Sequence, residues 1–545
     1  MKKKEKDNLF DNLPACAAEF IKLVIKKMRY RKKVRADVMA ELAAHFEDEL
    51  RDCKSDEEKQ QKAQQLIADF GDVKLLAVLL RRAKKRCRPF WRTIVARTFQ
   101  TVGVLLLCFI VYLVWFFSGK PNVATDYVAE LNHIVRPVAD ESLNAAPLYE
   151  KAVQLYNEKS SDEITELLGT KYNEATAEQK QVIEEWLGDN SQALELVIAG
   201  TRKTHYWQKY KGKEIVSVLM PNLAEFRKLD KALRWRAWLS AEQGHYEDAF
   251  GDMKSCYRLG QHLRGDKILI EQLVGIAIEA LAVQTVRDIL SEYEVDSAIL
   301  AALQKDLEQI TAGEDFTVSM RAERLFMYDE IQRCFTEDYF GRGHLYWPRL
   351  QQICGFTGFR GFVNADFYDV LVQIGHVFFT HPNKRESREM ANRLYSYWET
   401  MAGKSPAQIQ AERIDIEEEA MEIIRGNIFL EILTPALAKV IEVSYRLSAD
   451  VKSTMMIISI LRYRHDKNNY PEDLDELIAA NYLKKLPMDP FSDKPLVYKK
   501  TDDSFMLYSV GRNFKDDGGR LGKDRKGKVK LWADDGDAVF WPVAI

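Results

Sequence analysis

Three acidic side chains within eight residues are the first candidates for chemistry in this chain. Glu323, Asp329 and Glu330 lie in a segment that is rich in aromatic residues. Two neighbouring carboxylates can serve as general acid and general base when one is protonated and the other ionised, as in many hydrolases. At helical spacing, the same residues also form an ordinary solvated face. The sequence leaves both interpretations open.

Two histidines in the same region do not complete a metal site. His376 and His381 are five residues apart, so they would not share a helix face, and no third ligand is evident. The sequence contains no HExxH, GxSxG or GxGxxG motif and no phosphate-binding loop. We therefore favour a protein without catalytic residues. The aromatic and glycine residues of segment 314–400 fit either a ligand groove or core packing.

The length and composition of the chain limit its possible architecture. A chain of 545 residues is too long for one hydrophobic core, so several domains are expected. A net charge of −3 and a pI near 6.4 give no indication of a nucleic-acid partner. The mean hydropathy of −0.32 places most of the chain in water. Cys334 and Cys354 fit either a disulfide or two separate buried thiols.

One apolar segment predicts a membrane anchor. Residues 101–118 contain no charge and would form a helix about 27 Å long, close to the ~30 Å hydrocarbon core of a bilayer. The preceding residues 81–97 carry eight Lys or Arg and no acid, a pattern that keeps the N-terminal side in the cytoplasm and favours anionic lipid. We predict a transmembrane helix over residues 94–118.

Helical patterns precede this anchor. Val34, Val38, Leu42, Phe46 and Leu50 recur every four residues and predict one apolar helix face. A capping box at residues 55–58 should begin the next helix, and a glycine at position 71 should end it. Residues 15–85 resemble the HAAS-type helical domain that precedes membrane spans in many bacterial proteins. The resemblance implies a signalling or interaction module.

The middle of the chain, residues 122–434, is predicted to be a helical array. Residues 231–260 place small side chains at Ala237, Ala249 and Cys256, where two helices can cross closely, with Gly244 at the turn. This segment resembles one tetratricopeptide hairpin. Residues 268–290 are apolar enough for a second span, but Glu271, Gln272, Glu279 and Gln284 interrupt them. We therefore predict a buried core helix there.

The last region, residues 435–545, changes from helix to strand. An apolar stripe predicts a long helix over 435–465, and Pro471 stands where a second helix should start. Strands are predicted over 494–500, 504–511 and 528–532. The region resembles the C-terminal domain of the major pseudopilin, the G subunit, of type II secretion. The residues that carry the resemblance are Tyr470-Pro471, Leu486-Pro487, Asp489-Pro490-Phe491, Pro495-Leu496, Tyr498, Leu507-Tyr508-Ser509-Val510-Gly511 and Asp534-Asp535-Gly536-Asp537.

The pseudopilin resemblance implies a calcium site. That family binds Ca²⁺ in the loop after the YSxG strand, and Ca²⁺ takes six to eight oxygen ligands. The implied ligands in this chain are the aspartates Asp516, Asp517, Asp534, Asp535 and Asp537. Two features depart from the family pattern: Arg512-Asn513-Phe514 in the turn, and a basic insertion over residues 520–530. A Ca²⁺ site and a plain solvated loop both remain open. Pseudopilins also begin with a short leader, which we do not find here, so filament packing by the usual route is not expected.

Together these patterns predict a mainly α, single-pass membrane protein with a cytoplasmic helical domain (1–90), a transmembrane helix (94–118), an external helical array (122–434) and a small α+β pseudopilin-like module (435–545). We expect it in the inner membrane of a bacterium, with its C-terminal region outside and protein partners on both sides. We interpret it as a non-catalytic interaction or scaffold protein. The alternatives are a component associated with type II secretion or pili, and an exported hydrolase with an unrecognised active site.

Overall fold

A computed structural model describes residues 8–86, 90–137, 140–159, 161–218, 222–357, 380–434, 437–524 and 526–543, without the side chains of 8, 86, 90–93, 157, 159 and 354–357. It confirms a mainly helical chain with a small sheet region near the C-terminus. The chain divides into two compact units, Met1–Phe116 and Phe117–Ile545.

The first unit is helical. Its helices are α1 (Ala15–Lys27), α2 (Lys32–Leu50), α3 (Asp56–Phe70), α4 (Val73–Arg86) and α5 (Phe90–Ser118), the last of which continues two residues into the second unit. Helices α1 to α4 enclose a core that is centred on Phe20, Phe46 and Phe70, whose ring centroids lie 5.7–6.2 Å apart. Half of the predicted capping box is present: the Ser55 hydroxyl accepts a hydrogen bond from the N–H of Glu58 (3.2 Å), whereas the Glu58 carboxylate accepts from the N–H of Lys54 (2.9 Å) and not from that of Ser55. Gly71, at φ +70°, ends α3.

Helix α5 exposes its apolar side chains. The most apolar 18-residue stretch of Ile94–Ser118 has a mean hydropathy of 2.4, and only 6% of that stretch is buried within the protein. A second helix, Leu269–Glu292, is also long and apolar enough to cross a membrane, but 67% of its most apolar segment is buried inside the second unit. The apolar side chains of α5 are therefore mostly exposed, whereas those of the helix Leu269–Glu292 are mostly packed inside the protein.

The second unit begins with an extensive helical array. Its helices are α6 (Tyr127–Val135), α7 (Ala146–Lys159), α8 (Asp162–Leu167), α9 (Ala177–Asp189), α10 (Ser191–Thr201), α11 (Leu223–Glu242), α12 (Tyr246–His262), α13 (Leu269–Glu292), α14 (Ser297–Ile310), α15 (Arg321–Cys334), α16 (Trp347–Thr357), α17 (Lys384–Ala402), α18 (Pro406–Glu412), α19 (Ile416–Ile424) and α20 (Ile428–Leu433).

The predicted hairpin is formed by α11 and α12. Gly244 takes φ +81° at the turn, and the three small residues predicted at the crossing are fully buried. Helix α13 then packs against α12 with backbone in contact. A Cβ atom on Gly275 would lie 2.5 Å from the carbonyl oxygen of Gly260, and one on Gly260 would lie 2.6 Å from that of Gly275. The crossing therefore depends on glycine at both positions.

The C-terminal module combines a long helix with short strands. It contains α21 (Leu437–Lys467), α22 (Asp475–Ala479), a two-stranded ladder of β1 (Met488–Asp489) and β2 (Lys494–Pro495), and a three-stranded antiparallel sheet of β3 (Val497–Lys500), β4 (Phe505–Ser509) and β5 (Ala538–Trp541). Strands β3 and β4 form the predicted hairpin, in which Val497 faces Tyr508.

Two local predictions in this module were wrong. The third strand is β5, whose residues are all buried, and not residues 528–532. Lys528 and Lys530 are exposed, and this stretch contributes only an isolated bridge between Lys523 and Val529. The short helix α22 begins four residues after Pro471, because the intervening residues form a turn in which Asp473 accepts backbone hydrogen bonds.

The long helix α21 shares one hydrophobic core with the helical array. It packs against α13 and α14, and Arg287 of α13 lies 2.9 Å from the carboxylate of Asp450, both almost fully buried. Arg287 also donates to the Thr454 hydroxyl (2.9 Å), and the indole N–H of Trp532 reaches Asp450 (3.4 Å). Polar and apolar contacts therefore join the C-terminal module to the array.

Candidate functional site

A cleft of about 670 Å³ in the helical array contains two of the three carboxylates that the sequence singled out. Glu323 and Glu330 are seven residues apart on α15, so they lie on the same face of that helix. The rest of the lining is mostly apolar and comprises Val216, Ile268, Leu269, Ile270, Leu273, Phe326, Ile353, Ile432 and Leu433, with Ser217, Arg349, Gln352 and Thr434. We call this pocket the α15 cleft.

Glu330 is held in an ion pair. Its carboxylate is 1% exposed and accepts two hydrogen bonds from Arg349, at 2.7 and 3.2 Å. Arg349 also donates to Glu214 (2.8 Å). Burial raises the pKa of Glu330, and Arg349 opposes that shift. The guanidinium therefore compensates part of the cost of burying this carboxylate.

Glu323 serves the backbone of the neighbouring helix. It accepts a hydrogen bond from the N–H of Leu269 (3.0 Å), the first residue of α13, and so satisfies one of the free donors at that helix start. Burial raises the pKa of Glu323. Asp329 is not part of the cleft lining, and it accepts hydrogen bonds from Arg333 (2.9 Å) and from the N–H of Ile215 (2.8 Å).

In the α15 cleft, both glutamates are thus engaged by other groups of the protein. Glu330 has a fixed cationic partner, Glu323 acts as a helix cap, and the remaining wall is apolar. Pockets of a few hundred Å³ with apolar walls and a few convergent polar groups are typical of ligand or peptide sites. The sequence identified Glu323 and Glu330 as candidates. It did not indicate Arg349, because this partner lies nineteen residues beyond Glu330 and on a different helix.

A second, smaller pocket of about 270 Å³ contains a buried lysine that the sequence did not reveal. Its lining includes Tyr206, Tyr210, Lys267 and Glu271. Burial lowers the pKa of Lys267 to about 8. Its ammonium group donates to the carbonyl oxygens of Tyr206 (2.9 Å) and His262. Lys267 therefore ties a loop to the end of α12.

The five aspartates of the implied calcium site are only partly brought together. Asp537 is buried and accepts hydrogen bonds from the N–H groups of Asp517 (3.2 Å) and Gly519 (2.7 Å), while Asp516 accepts from the Tyr508 hydroxyl (2.8 Å). Burial raises the pKa of Asp537, and the charges of Asp516 and Asp517 add to that shift.

The other two aspartates are paired with arginines. Asp534 forms an ion pair with Arg512, and Asp535 lies 3.8 Å from Arg520. In the described part of the chain, no three Asp, Glu, His or Cys side chains form a group that could hold a metal ion. The five aspartate carboxylates could therefore bind one Ca²⁺ ion together only if the ion pairs of Asp534 with Arg512 and of Asp535 with Arg520 were broken. Calcium binding stays a prediction.

Calcium binding can be tested on the full-length protein. If Ca²⁺ joins Asp534 and Asp535 to the other three carboxylates, millimolar CaCl₂ should raise the melting temperature, because a ligand that binds only the folded state stabilises it. External Ca²⁺ sites commonly have Kd values of ~10⁻⁴–10⁻³ M. Magnesium should have a smaller effect. The double variant Asp534→Ala, Asp535→Ala should lose the shift, and a wild-type curve that calcium leaves unchanged would refute the site.

The remaining sequence candidates give no site in the described residues. His376 lies outside the described part of the chain, and the Nδ1 atom of His381 contacts the carbonyl oxygen of Pro382 (2.8 Å). Cys334 is a buried free thiol whose pKa is raised by burial, and the side chain of Cys354 is not described.

Comparison of this chain with protein-family models, curated proteins and solved structures found no match. The function is therefore inferred from the chain's own sequence and geometry.

Proposed function

We propose that this protein is a membrane-anchored, non-catalytic interaction protein that displays a helical array and a pseudopilin-like module outside the cytoplasm. The observation that carries the proposal is the exposure of α5, since only 6% of an apolar segment as long as a bilayer is thick is buried in protein. Soluble monomers rarely expose so large a contiguous apolar surface to water, whereas the hydrocarbon core of a bilayer would cover it.

The position and charge of α5 support a single span with the N-terminus inside. Segment 81–97 carries eight basic residues and no acid; six of them precede α5, and Arg92 and Arg97 lie within its first eight residues. This charge pattern favours retention of that side in the cytoplasm. The other candidate helix, α13, has its apolar residues committed to the core of the second unit. The proposed location is the inner membrane of a bacterium.

The proposed activity is binding, and the α15 cleft is the surface that supports it best. Its apolar walls offer area to a ligand or a partner segment, and the ion pair of Glu330 and Arg349 supplies a polar end. Protein partners are proposed on both sides of the membrane, because folded helical units lie on both sides of α5 in the sequence.

A second candidate function is a component associated with type II secretion or pili. It is favoured by a contact between two of the motifs that carry the pseudopilin resemblance. The buried carboxylate of Asp489 accepts hydrogen bonds from the hydroxyl of Ser509 (2.9 Å) and from the N–H of Phe491 (3.0 Å). Burial raises the pKa of Asp489, and these donors oppose that shift.

The anchor is tested by placing charge in α5. The double variant Leu107→Arg, Val111→Arg should move the protein from carbonate-washed membranes to the soluble or aggregated fraction, because each arginine at the centre of a span costs about 2.5–3.5 kcal/mol. The matched control is Leu281→Arg, a substitution on the exposed side of α13, which should leave membrane retention unchanged. A wild-type protein washed off by carbonate would refute the anchor. A periplasm-active reporter that works at residue 60 and fails at residue 545 would refute the orientation.

A further inference from the structure

Two adjacent aromatic side chains project from a loop of the second unit. Tyr339 is 96% exposed and Phe340 is 69% exposed, whereas the other exposed large hydrophobic side chains described in this unit reach at most 55%. The two rings contact each other edge to face, with centroids 5.2 Å apart. Adjacent exposed aromatic rings of this size are typical of an interaction surface.

The loop holds this pair in a defined position. At its base, the N–H of Thr336 donates to the carbonyl of His344 (2.8 Å), and the N–H of His344 donates to the Thr336 hydroxyl (3.0 Å). At its tip, the carboxylate of Asp338 accepts a hydrogen bond from the N–H of Phe340 (3.0 Å). The aromatic pair is therefore presented to its surroundings by a closed turn. We call residues 336–344 the aromatic loop.

The base of the aromatic loop packs against the residue that follows α5. Gly119 comes directly after Ser118, the last residue of α5, and a Cβ atom at Gly119 would lie 2.7 Å from Cγ2 of Thr336 and 3.3 Å from Cε1 of His344. Only glycine allows this approach. Whatever the direction of α5, a residue one position beyond a membrane span lies close to the membrane surface, and so must the loop base that contacts it.

The aromatic tip is within reach of the lipid interface. Tyr339 follows Thr336 by three residues, which span at most about 10 Å at ~3.3 Å per extended residue. The polar layer on each side of the hydrocarbon core is roughly 5–7 Å thick, and Tyr and Trp are enriched there because their rings are amphipathic. The guanidinium of Arg342, 5.7 Å from the Phe340 ring centroid, adds a cation next to the pair, and cations favour lipid phosphates.

We propose that Tyr339 and Phe340 insert into the outer interfacial layer of the bilayer that holds α5. This inference rests on the proposed membrane anchor and adds a second contact between the external unit and lipid. One span leaves the external unit free to rotate and tilt about a single attachment. A second contact with lipid, close to the C-terminal end of α5, would fix the orientation of that unit and so determine which of its faces points away from the membrane.

Photocrosslinking of the full-length protein tests the inference. A benzoylphenylalanine residue is placed at position 340, at Trp115 within the proposed span, or at Met421, whose side chain is 45% exposed and serves as the solvent control. Each protein is reconstituted in vesicles of phosphatidylethanolamine and phosphatidylglycerol, irradiated, and examined by mass spectrometry for lipid adducts. We expect adducts at 340 and 115 in several-fold excess over those at 421.

The outcomes separate the loop from the anchor. Lipid adducts at 115 with no excess at 340, or adducts from 340 to a second copy of the chain, would overturn insertion of the loop and leave the anchor standing. Absence of lipid adducts at both 115 and 340 would overturn the anchor and, with it, the loop contact.

Discussion

Replacing Arg287 with leucine is expected to lower the free energy of unfolding of the second unit by about 3–5 kcal/mol, because it leaves the buried carboxylate of Asp450 without its cationic partner. The two side chains are only 4% and 7% exposed, and Arg287 supplies hydrogen bonds to Asp450 and to Thr454. Urea titration of the full-length protein in detergent, followed by circular dichroism, measures the loss.

The pH dependence of this loss has a definite sign. Burial already raises the pKa of Asp450, although Arg287 opposes that shift. Without Arg287 the pKa should rise further, so the folded state binds more protons than the unfolded state between the two pKa values. Stability of the Arg287→Leu variant should therefore fall as pH rises through that window, and its deficit relative to wild type should shrink in acid.

Two further variants complete the test. The double replacement Arg287→Leu, Asp450→Leu should recover much of the loss, since removal of both charges leaves neither one unpaired. Arg385→Leu, in an exposed pair with Glu389, should change stability by at most about 1 kcal/mol. If Arg287→Leu were as mild as Arg385→Leu, the ion pair would not hold the C-terminal module on the array.

Gly275→Ala is the second substitution with a large expected effect. The added methyl group would lie 2.5 Å from the carbonyl oxygen of Gly260 and 3.1 Å from Cβ of Leu263. Helices α12 and α13 would have to separate, and overpacking of this kind costs about 1–3 kcal/mol and occasionally more. The same urea titration measures it.

The same pair of helices contains its own control. Apart from the backbone of its own helix and its chain neighbours, Gly251 of α12 has no atom within 4 Å of the position that a Cβ would occupy. Gly251→Ala should therefore leave the protein unchanged or stabilise it by up to about 1 kcal/mol, the helix-propensity difference between the two residues. Equal effects of the two substitutions would show that the close crossing at Gly275 is not a constraint.

Local patterns in the sequence predicted most elements of the fold. Helical periodicity, together with the cap at Ser55 and the glycine at position 71, placed α2 and α3, and polar interruptions predicted the burial of α13. These features depend on neighbours within a few residues. The prediction of a strand at 528–532 was wrong, because the alternation of Lys and apolar residues there resembles a half-buried strand. The edge of the sheet is formed instead by the fully buried residues Ala538–Trp541.

Long-range pairings could not be predicted in this way. Arg287 and Asp450 are 163 residues apart, and no local pattern marks them as partners. The same limit applied to the candidate site, where the two glutamates stood out by type and spacing, but Arg349 and most of the apolar wall come from other parts of the chain. The fold determines whether a carboxylate is free or paired with a cation. The sequence alone therefore could not distinguish a catalytic acid–base pair from an ion pair.

The burial of α13 has a consequence for synthesis and export. In the proposed topology, this helix must pass through the translocation channel, with a mean hydropathy of 1.5 over its most apolar segment, before α21 emerges to cover it. During that interval it resembles a stop-transfer sequence. Glu279, near its centre, is fully buried and paired with Arg264 in the finished fold. A charge at the centre of a span opposes lateral entry into lipid by about 2.5–3.5 kcal/mol. In that topology, this one carboxylate would help to keep the nascent chain moving through the channel until its packing partners arrive.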